Sequence, residues 1–211
     1  MNEQLKIIFD GVINGDQKTV VAGVQAALAA GVDAACILNE GMIPAMSQVG
    51  NFFECGEYFV PEMLIAARAM KSGLQILRPA LIAANVQAIG KVVIGTVQGD
   101  LHDIGKNLVA MMLEGAGFEV IDLGVDVPPQ KFVDAIQQHQ PNFVGMSALL
   151  TTTMPKMKIT MDAIQTASLR AQTKIMIGGA PVTLRYAQEI GADIFAPDAG
   201  TAARLAKQAL T

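Results

Sequence analysis

Near residue 90 the spacing of apolar side chains along the chain changes. Before that point Ala, Leu, Ile and Met recur three and four positions apart with almost no β-branched runs, which is the period of amphipathic helices. The pattern predicts a first helix over residues 3–14 that stops at Gly15, and a second over 17–30 that stops at Gly31. Asp33 caps a third that reaches Val49, and a fourth begins near Pro61, a residue suited to a first helical turn, and runs to Asn85. Helices joined by such short loops form an antiparallel four-helix bundle, assigned here to residues 1–89.

From Gly90 onward short β-branched runs alternate with amphipathic stretches. The runs cover residues 91–97, 119–123, 142–148, 174–177 and 193–196, and candidate helices follow at 105–116, 129–139, 155–171, 182–190 and 201–210. Five strands, each followed by a helix, predict a flavodoxin-like, doubly wound parallel sheet over residues 90–211. The commonest order for such a sheet is 2-1-3-4-5, and its ligand crevice lies at the carboxyl ends of strands 1 and 3. Strand 1 is followed by Gln98, Gly99, Asp100, Leu101, His102, Asp103, Ile104 and Gly105, and the segment leaving strand 3 is Ser147, Ala148, Leu149, Leu150, Thr151, Thr152 and Thr153. Gly178 and Gly179 follow strand 4 beside them. Three segments far apart in sequence thus converge on one crevice.

Composition narrows the partners. Hydrophobic residues make up 52% and charged residues 16%, which excludes intrinsic disorder. Mean hydropathy is +0.40, yet no stretch approaches the ~18 uninterrupted apolar residues of a membrane span. The first residues lack the basic flank and apolar run of a signal peptide, so a cytoplasmic protein without a membrane partner is expected. Residues 1–90 hold five basic and eight acidic side chains and the remainder ten and eleven, so neither part has the cationic excess that nucleic acid requires. Cys36, Cys55, His102 and His139 are the only cysteines and histidines, and their spacing does not form a zinc motif.

The crevice residues suggest chemistry. His102 lies two positions after Asp100, on a loop expected to gain mobility from Gly99 and to close at Gly105 where a helix begins. An imidazole can ligate a metal through one nitrogen while the other donates to a carboxylate, which fixes the tautomer. The Thr153 hydroxyl extends this into a His–Asp–Thr relay. A plainer reading has Asp100 capping the helix that begins near Ile104, with His102 filling a turn.

Asp100, His102 and Gly105 form a D-x-H-x-x-G motif. After 41 intervening residues come Ser147 and Leu149 as S-x-L, and after 28 more the pair Gly178-Gly179. This three-part pattern resembles the cobalamin-binding domain shared by methionine synthase, coenzyme-B12 mutases and the corrinoid proteins of methyltransferase systems. The resemblance implies that the cofactor binds with its own base displaced, that His102 ligates cobalt and that Asp100 supports it. Thr153 stands where methionine synthase carries a serine as third member of the relay. Gly99, Leu101, Asp103, Ile104, Ser147, Leu149 and Thr151 would surround the cofactor, with Gly178 and Gly179 leaving room for its nucleotide tail. The resemblance reaches the first half, where Phe59, Val60, Pro61 and Glu62 precede a helix similar to the cap of those proteins. Phe59 and Met63 would cover the upper ligand, although an ordinary bundle core accounts for them equally well.

With cap and corrinoid domain filling the sequence, no room is left for a catalytic barrel. The implied role is a methyl carrier serving a substrate-specific methyltransferase and a corrinoid:acceptor methyltransferase that passes the methyl group to tetrahydrofolate or coenzyme M, with a reductive activase restoring the cofactor. The alternatives are the cobalamin subunit of an adenosylcobalamin mutase and a cobalamin-sensing regulator. The charge distribution disfavours the latter, and the absence of a barrel the former. A receiver domain shares the topology but calls for an acidic residue after strand 3, where Ser147 and Ala148 stand.

Overall fold

The computed structural model describes residues 3–210. They divide into two units, one reaching Ala88 and including Gly115–Gly117, the other made of Ile89–Glu114 and the chain from Phe118 on.

In the first unit α1 (Glu3–Ile13) and α2 (Gln17–Ala29) are joined at Gly15 and Asp16, whose carboxylate accepts from the Thr19 main-chain N–H and hydroxyl. Leu5, Ile8 and Val12 of α1 and Val20, Val24 and Ala27 of α2 are buried at the three- and four-residue spacing expected. The third helical run differs from the sequence reading. It opens as α3 (Ala34–Cys36), widens into a π-helical segment (Ile37–Met42) and continues as α4 (Ile43–Glu54), one turn past Val49. Pro44 lacks an N–H and crowds the carbonyl four residues back, and a widened turn just before it relieves both. The fourth run, α5 (Val60–Ala83), begins where the Phe59 N–H donates to the Glu62 side chain at 3.0 Å. It packs on α2 closely enough that a Cβ on Gly73 would stand 2.7 Å from Val20.

The second unit is a five-stranded parallel sheet in the order β2-β1-β3-β4-β5, formed by β1 (Lys91–Thr96), β2 (Glu119–Asp122), β3 (Phe143–Ser147), β4 (Lys174–Gly178) and β5 (Ile194–Phe195). Successive side chains point to opposite faces. Val93, Val144, Met146, Ile175 and Ile177 share one cluster with α7 (Pro129–His139), α8 (Pro155–Thr166) and α9 (Leu184–Ile190). The intervening Val92, Ile94, Phe143 and Met176 are buried as well, so both faces are covered. Two further helices, α6 (Ile104–Gly115) and α10 (Ala199–Gln208), complete the unit. The helix expected over 155–171 stops at Thr166, and a 3-10 turn (Arg170–Gln172) leads into β4.

Among the described residues no helix is long and apolar enough to cross a membrane.

Candidate functional site

Strand register brings the three predicted segments together. Thr96 at the end of β1 pairs with Ser147 at the end of β3, and Ser147 pairs with Gly178 at the end of β4. The ladder runs one step further, the Val97 N–H donating to the Ser147 carbonyl at 3.0 Å and the Ala148 N–H to the Gly178 carbonyl at 3.3 Å. The winding reverses between β1 and β3, and the loops leaving those strands sit side by side.

Asp100 is the centre of this arrangement and is fully buried. Its Oδ1 accepts from the His102 main-chain N–H at 3.1 Å and lies 2.7 Å from His102 Nδ1. Its Oδ2 accepts from the Leu149 N–H at 2.8 Å, from the Leu150 N–H at 3.4 Å and from the Thr153 hydroxyl at 2.7 Å. The same hydroxyl lies 2.9 Å from the Leu150 carbonyl, so its single proton has two acceptors in reach. Burial by itself raises the pKa of a carboxyl, and here the bonds from Thr153, Leu149 and His102 more than reverse it, holding Asp100 well below the ordinary carboxylate range. The Asp100 carboxylate does not cap α6. That helix opens instead where the Asn107 N–H reaches the Asp103 carbonyl at 2.8 Å. The plainer reading of Asp100 as a helix cap is thereby replaced.

An ionised Asp100 only accepts, so Nδ1 of His102 carries the shared proton and Nε2 of a neutral ring carries the lone pair. The imidazole is about half exposed while its partner is buried. Leu101, Ile104, Leu149 and Leu150 are exposed by 72, 73, 43 and 42%, giving the loops around the ring an apolar rim. Among the described residues the hydroxyls of Ser147 and Thr151 make no hydrogen bond. No group of three or more His, Cys, Asp or Glu among those residues could hold a metal by itself, so a metal here would depend on one imidazole.

The loop is braced, contrary to the mobility expected from Gly99. Gly99 adopts a φ of 83°, which glycine tolerates, and its N–H donates to Asp126 at 2.7 Å. The Thr96 hydroxyl fixes the His102 carbonyl at 2.9 Å, and the Asp100 N–H closes a turn on Val97. Lys106, 2% exposed, bonds Asp122 at 2.5 Å and Asn107 at 2.7 Å, tying the first turn of α6 to the end of β2. Tyr186 of α9 donates to the Met154 carbonyl at 2.7 Å and so steadies the turn that carries Thr153.

The two glycines at the end of β4 have a role in the fold itself. A Cβ on Gly178 would meet the Ala196 carbonyl at 2.8 Å, and one on Gly179, whose φ is 133°, would meet the Ala148 carbonyl at 1.9 Å. Both positions need glycine for the sheet itself, before any ligand is considered. Gly105 is the reverse case. A Cβ there would find no atom within 4 Å, and glycine in a first helical turn costs stability, so nothing within the protein calls for it. Phe59 and Met63 lie in the helical unit, Phe59 65% exposed at the head of α5 and Met63 buried.

Sequence reasoning missed Asp126, Lys106 and Tyr186. Asp126 reads as an ordinary turn residue after β2, and Lys106 as a solvated helix lysine; only the pairing of β1 with β2 hints that the loop after β2 borders the crevice.

Comparison with known proteins places these features in context. The B12 binding domain family matches residues 90–206, and a second family, also described as a B12 binding domain, matches residues 5–78. Trimethylamine corrinoid protein 1 of Methanosarcina mazei is 40% identical over 203 residues, covering 95% of this chain and 94% of its own length. Dimethylamine corrinoid protein 2 of the same organism is 39% identical over 209 residues, covering 99 and 97%. A chain of the methanol:cobalamin methyltransferase complex from Methanosarcina barkeri superposes with a TM-score of 0.88 at 29% identity, over 99% of this chain and 80% of that one.

Proposed function

The chain belongs to the B12-binding family of corrinoid proteins, and from that premise we propose that it is a methyl carrier whose corrinoid is held from below by His102 with the cofactor's own base displaced. The Asp100–His102 pair is the observation that carries this reading. A buried, ionised carboxylate 2.7 Å from Nδ1 keeps that nitrogen protonated and turns Nε2 into a fixed lone-pair donor.

The site suits such a cofactor on three counts. It offers one imidazole donor, an apolar rim of Leu101, Ile104, Leu149 and Leu150, and at Gly105 a bare main chain that a close-lying ring explains. When bound, the corrinoid supplies a cobalt centre that takes up a methyl group and gives it away. The protein holds and orients. Asp100 keeps the imidazole in one tautomer, and the Thr153 hydroxyl can turn from Asp100 to the Leu150 carbonyl and so adjust the charge that the carboxylate presents. Gly99, Asp103, Ser147, Leu149 and Thr151 would line the approach, with Gly178 leaving space for the chain after β5 and Gly179 for the chain after β3.

We assign the exchange to the cytoplasm. There the carrier receives a methyl group from a substrate-specific methyltransferase and delivers it to a corrinoid:acceptor methyltransferase using tetrahydrofolate or coenzyme M, while a reductive activase re-reduces cofactor that has become oxidised. The names of the trimethylamine and dimethylamine corrinoid proteins favour a methylamine as donor.

The test is reconstitution with hydroxocobalamin. The wild-type spectrum should be that of a corrinoid with displaced base and histidine bound, and His102→Ala should lose that signature while keeping the apoprotein fold by circular dichroism. An unchanged spectrum in the variant overturns the assignment.

A further inference from the structure

Asp126 lies on the loop between β2 and α7, 27 residues from Gly99 in sequence, yet it holds the histidine loop at two points. One carboxylate oxygen, Oδ1, accepts from the Gly99 N–H at 2.7 Å, and its own N–H donates to the Asp100 carbonyl at 2.9 Å. The Gly99–Asp100 dipeptide is therefore held by one residue at both ends, at the Gly99 N–H and at the Asp100 carbonyl. Asp126 can do this because its φ of 51° is left-handed, a conformation that Asp and Asn accept more readily than other side-chain-bearing residues. Its neighbours are anchored to β1. The Thr96 N–H donates to the Gly124 carbonyl and the Val127 N–H to the Thr96 carbonyl, each at 3.0 Å. Thr96 also holds the His102 carbonyl, so the loop after β2, the end of β1 and the histidine form one connected frame.

We propose that Asp126 is a positioning residue, which through the Gly99–Asp100 peptide sets the direction of the Asp100 carboxylate and hence of the His102 ring. The carboxylate is exposed and its hydrogen bond goes to the main chain, not to the imidazole, so its contribution passes through the Gly99–Asp100 backbone. The positioning of the pair is a property of the apoprotein. That the oriented ring serves a corrinoid rests on the function proposed above.

The experiment uses the full chain labelled with ¹⁵N-histidine, whose only histidines are His102 and His139, with His139→Gln identifying the second signal. Asp126→Gly removes the carboxylate while suiting the left-handed φ, and Asp126→Asn keeps an acceptor oxygen at the same place. Both retain the main-chain bond to Asp100. Exchange of the hydrogen-bonded His102 Nδ1 proton should accelerate about tenfold in Asp126→Gly, the effect of losing one charge-assisted bond, and return to near wild type in Asp126→Asn. Unchanged exchange in Asp126→Gly, or equal acceleration in both variants, overturns the proposal. His102→Ala in the corrinoid-loaded protein is read separately, so a failure of ligation leaves the exchange result standing, and a failure of positioning leaves ligation standing.

Discussion

Replacing Asp100 with Asn preserves the shape of the side chain and removes one acceptor oxygen, so the surrounding donors determine the outcome. If the amide nitrogen takes the place of Oδ2, it faces the Leu149 N–H, now 2.8 Å from Oδ2. If it takes the place of Oδ1, it faces the His102 main-chain N–H, now at 3.1 Å, and donates to the ring only if Nδ1 gives up its proton. That second arrangement moves the ring proton to Nε2 and removes the lone pair that the proposed ligation needs. Either way one bond to a charged acceptor is lost, at about 1.5–3 kcal/mol, and a buried N–H is left facing another donor. The sum is on the order of 2–4 kcal/mol, offset in part by removing a buried charge. The pH dependence gives the reasoning its sharper edge. The folded-state pKa of Asp100 lies below its unfolded value, so its stabilisation is fully present above about pH 4 and is lost as pH falls toward the folded value. Urea unfolding of the apoproteins should thus show Asp100→Asn weaker than wild type at pH 7, with the gap narrowing below pH ~4. Equal stability at pH 7, or a gap that stays constant down to pH 3, refutes the assignment of an ionised Asp100 as the hub of the site.

Two other substitutions separate what the fold needs from what a ligand needs. Gly105→Ala should stabilise the apoprotein by about 0.5–1 kcal/mol in urea melts, because the added methyl has open space and suits a helix. The same variant should bind hydroxocobalamin more weakly by equilibrium titration, and unchanged affinity would remove the argument from that glycine. Gly179→Ala should fail to give a cooperatively folding apoprotein, since its methyl would stand 1.9 Å from the Ala148 carbonyl at a φ of 133°. The loss should be at least about 3 kcal/mol, and a soluble variant with a wild-type melting curve would contradict it.

The pattern of side chains carried most of the architecture. Alternating β-branched runs located all five strands to within a few residues, and the doubly wound order put the ends of β1, β3 and β4 side by side, as the register of Thr96, Ser147 and Gly178 does. The π-helical segment before Pro44 was not legible, because apolar spacing does not report a one-residue widening of a turn. Within the site, the Asp100, His102 and Thr153 contacts follow the spacing of the motif. The place of Asp126 does not, since its carboxylate accepts from a main-chain N–H that almost any residue would offer. Beside the room for a ligand that the sequence suggests at Gly178 and Gly179, the structure shows carbonyls of Ala196 and Ala148 where a side chain would stand. Such crowding depends on strands distant in sequence and leaves no periodic trace.

Paramagnetic resonance of the reduced cobalt(II) corrinoid in ¹⁵N-histidine-labelled protein interrogates the lower axial atom itself. Replacing the spin-1 nitrogen with a spin-½ isotope should convert each three-line nitrogen splitting to two lines, and His102→Ala should abolish the effect. Splitting that stays three-line in labelled wild-type protein would mean that the cofactor's own base remains coordinated, and that His102 does not hold the metal.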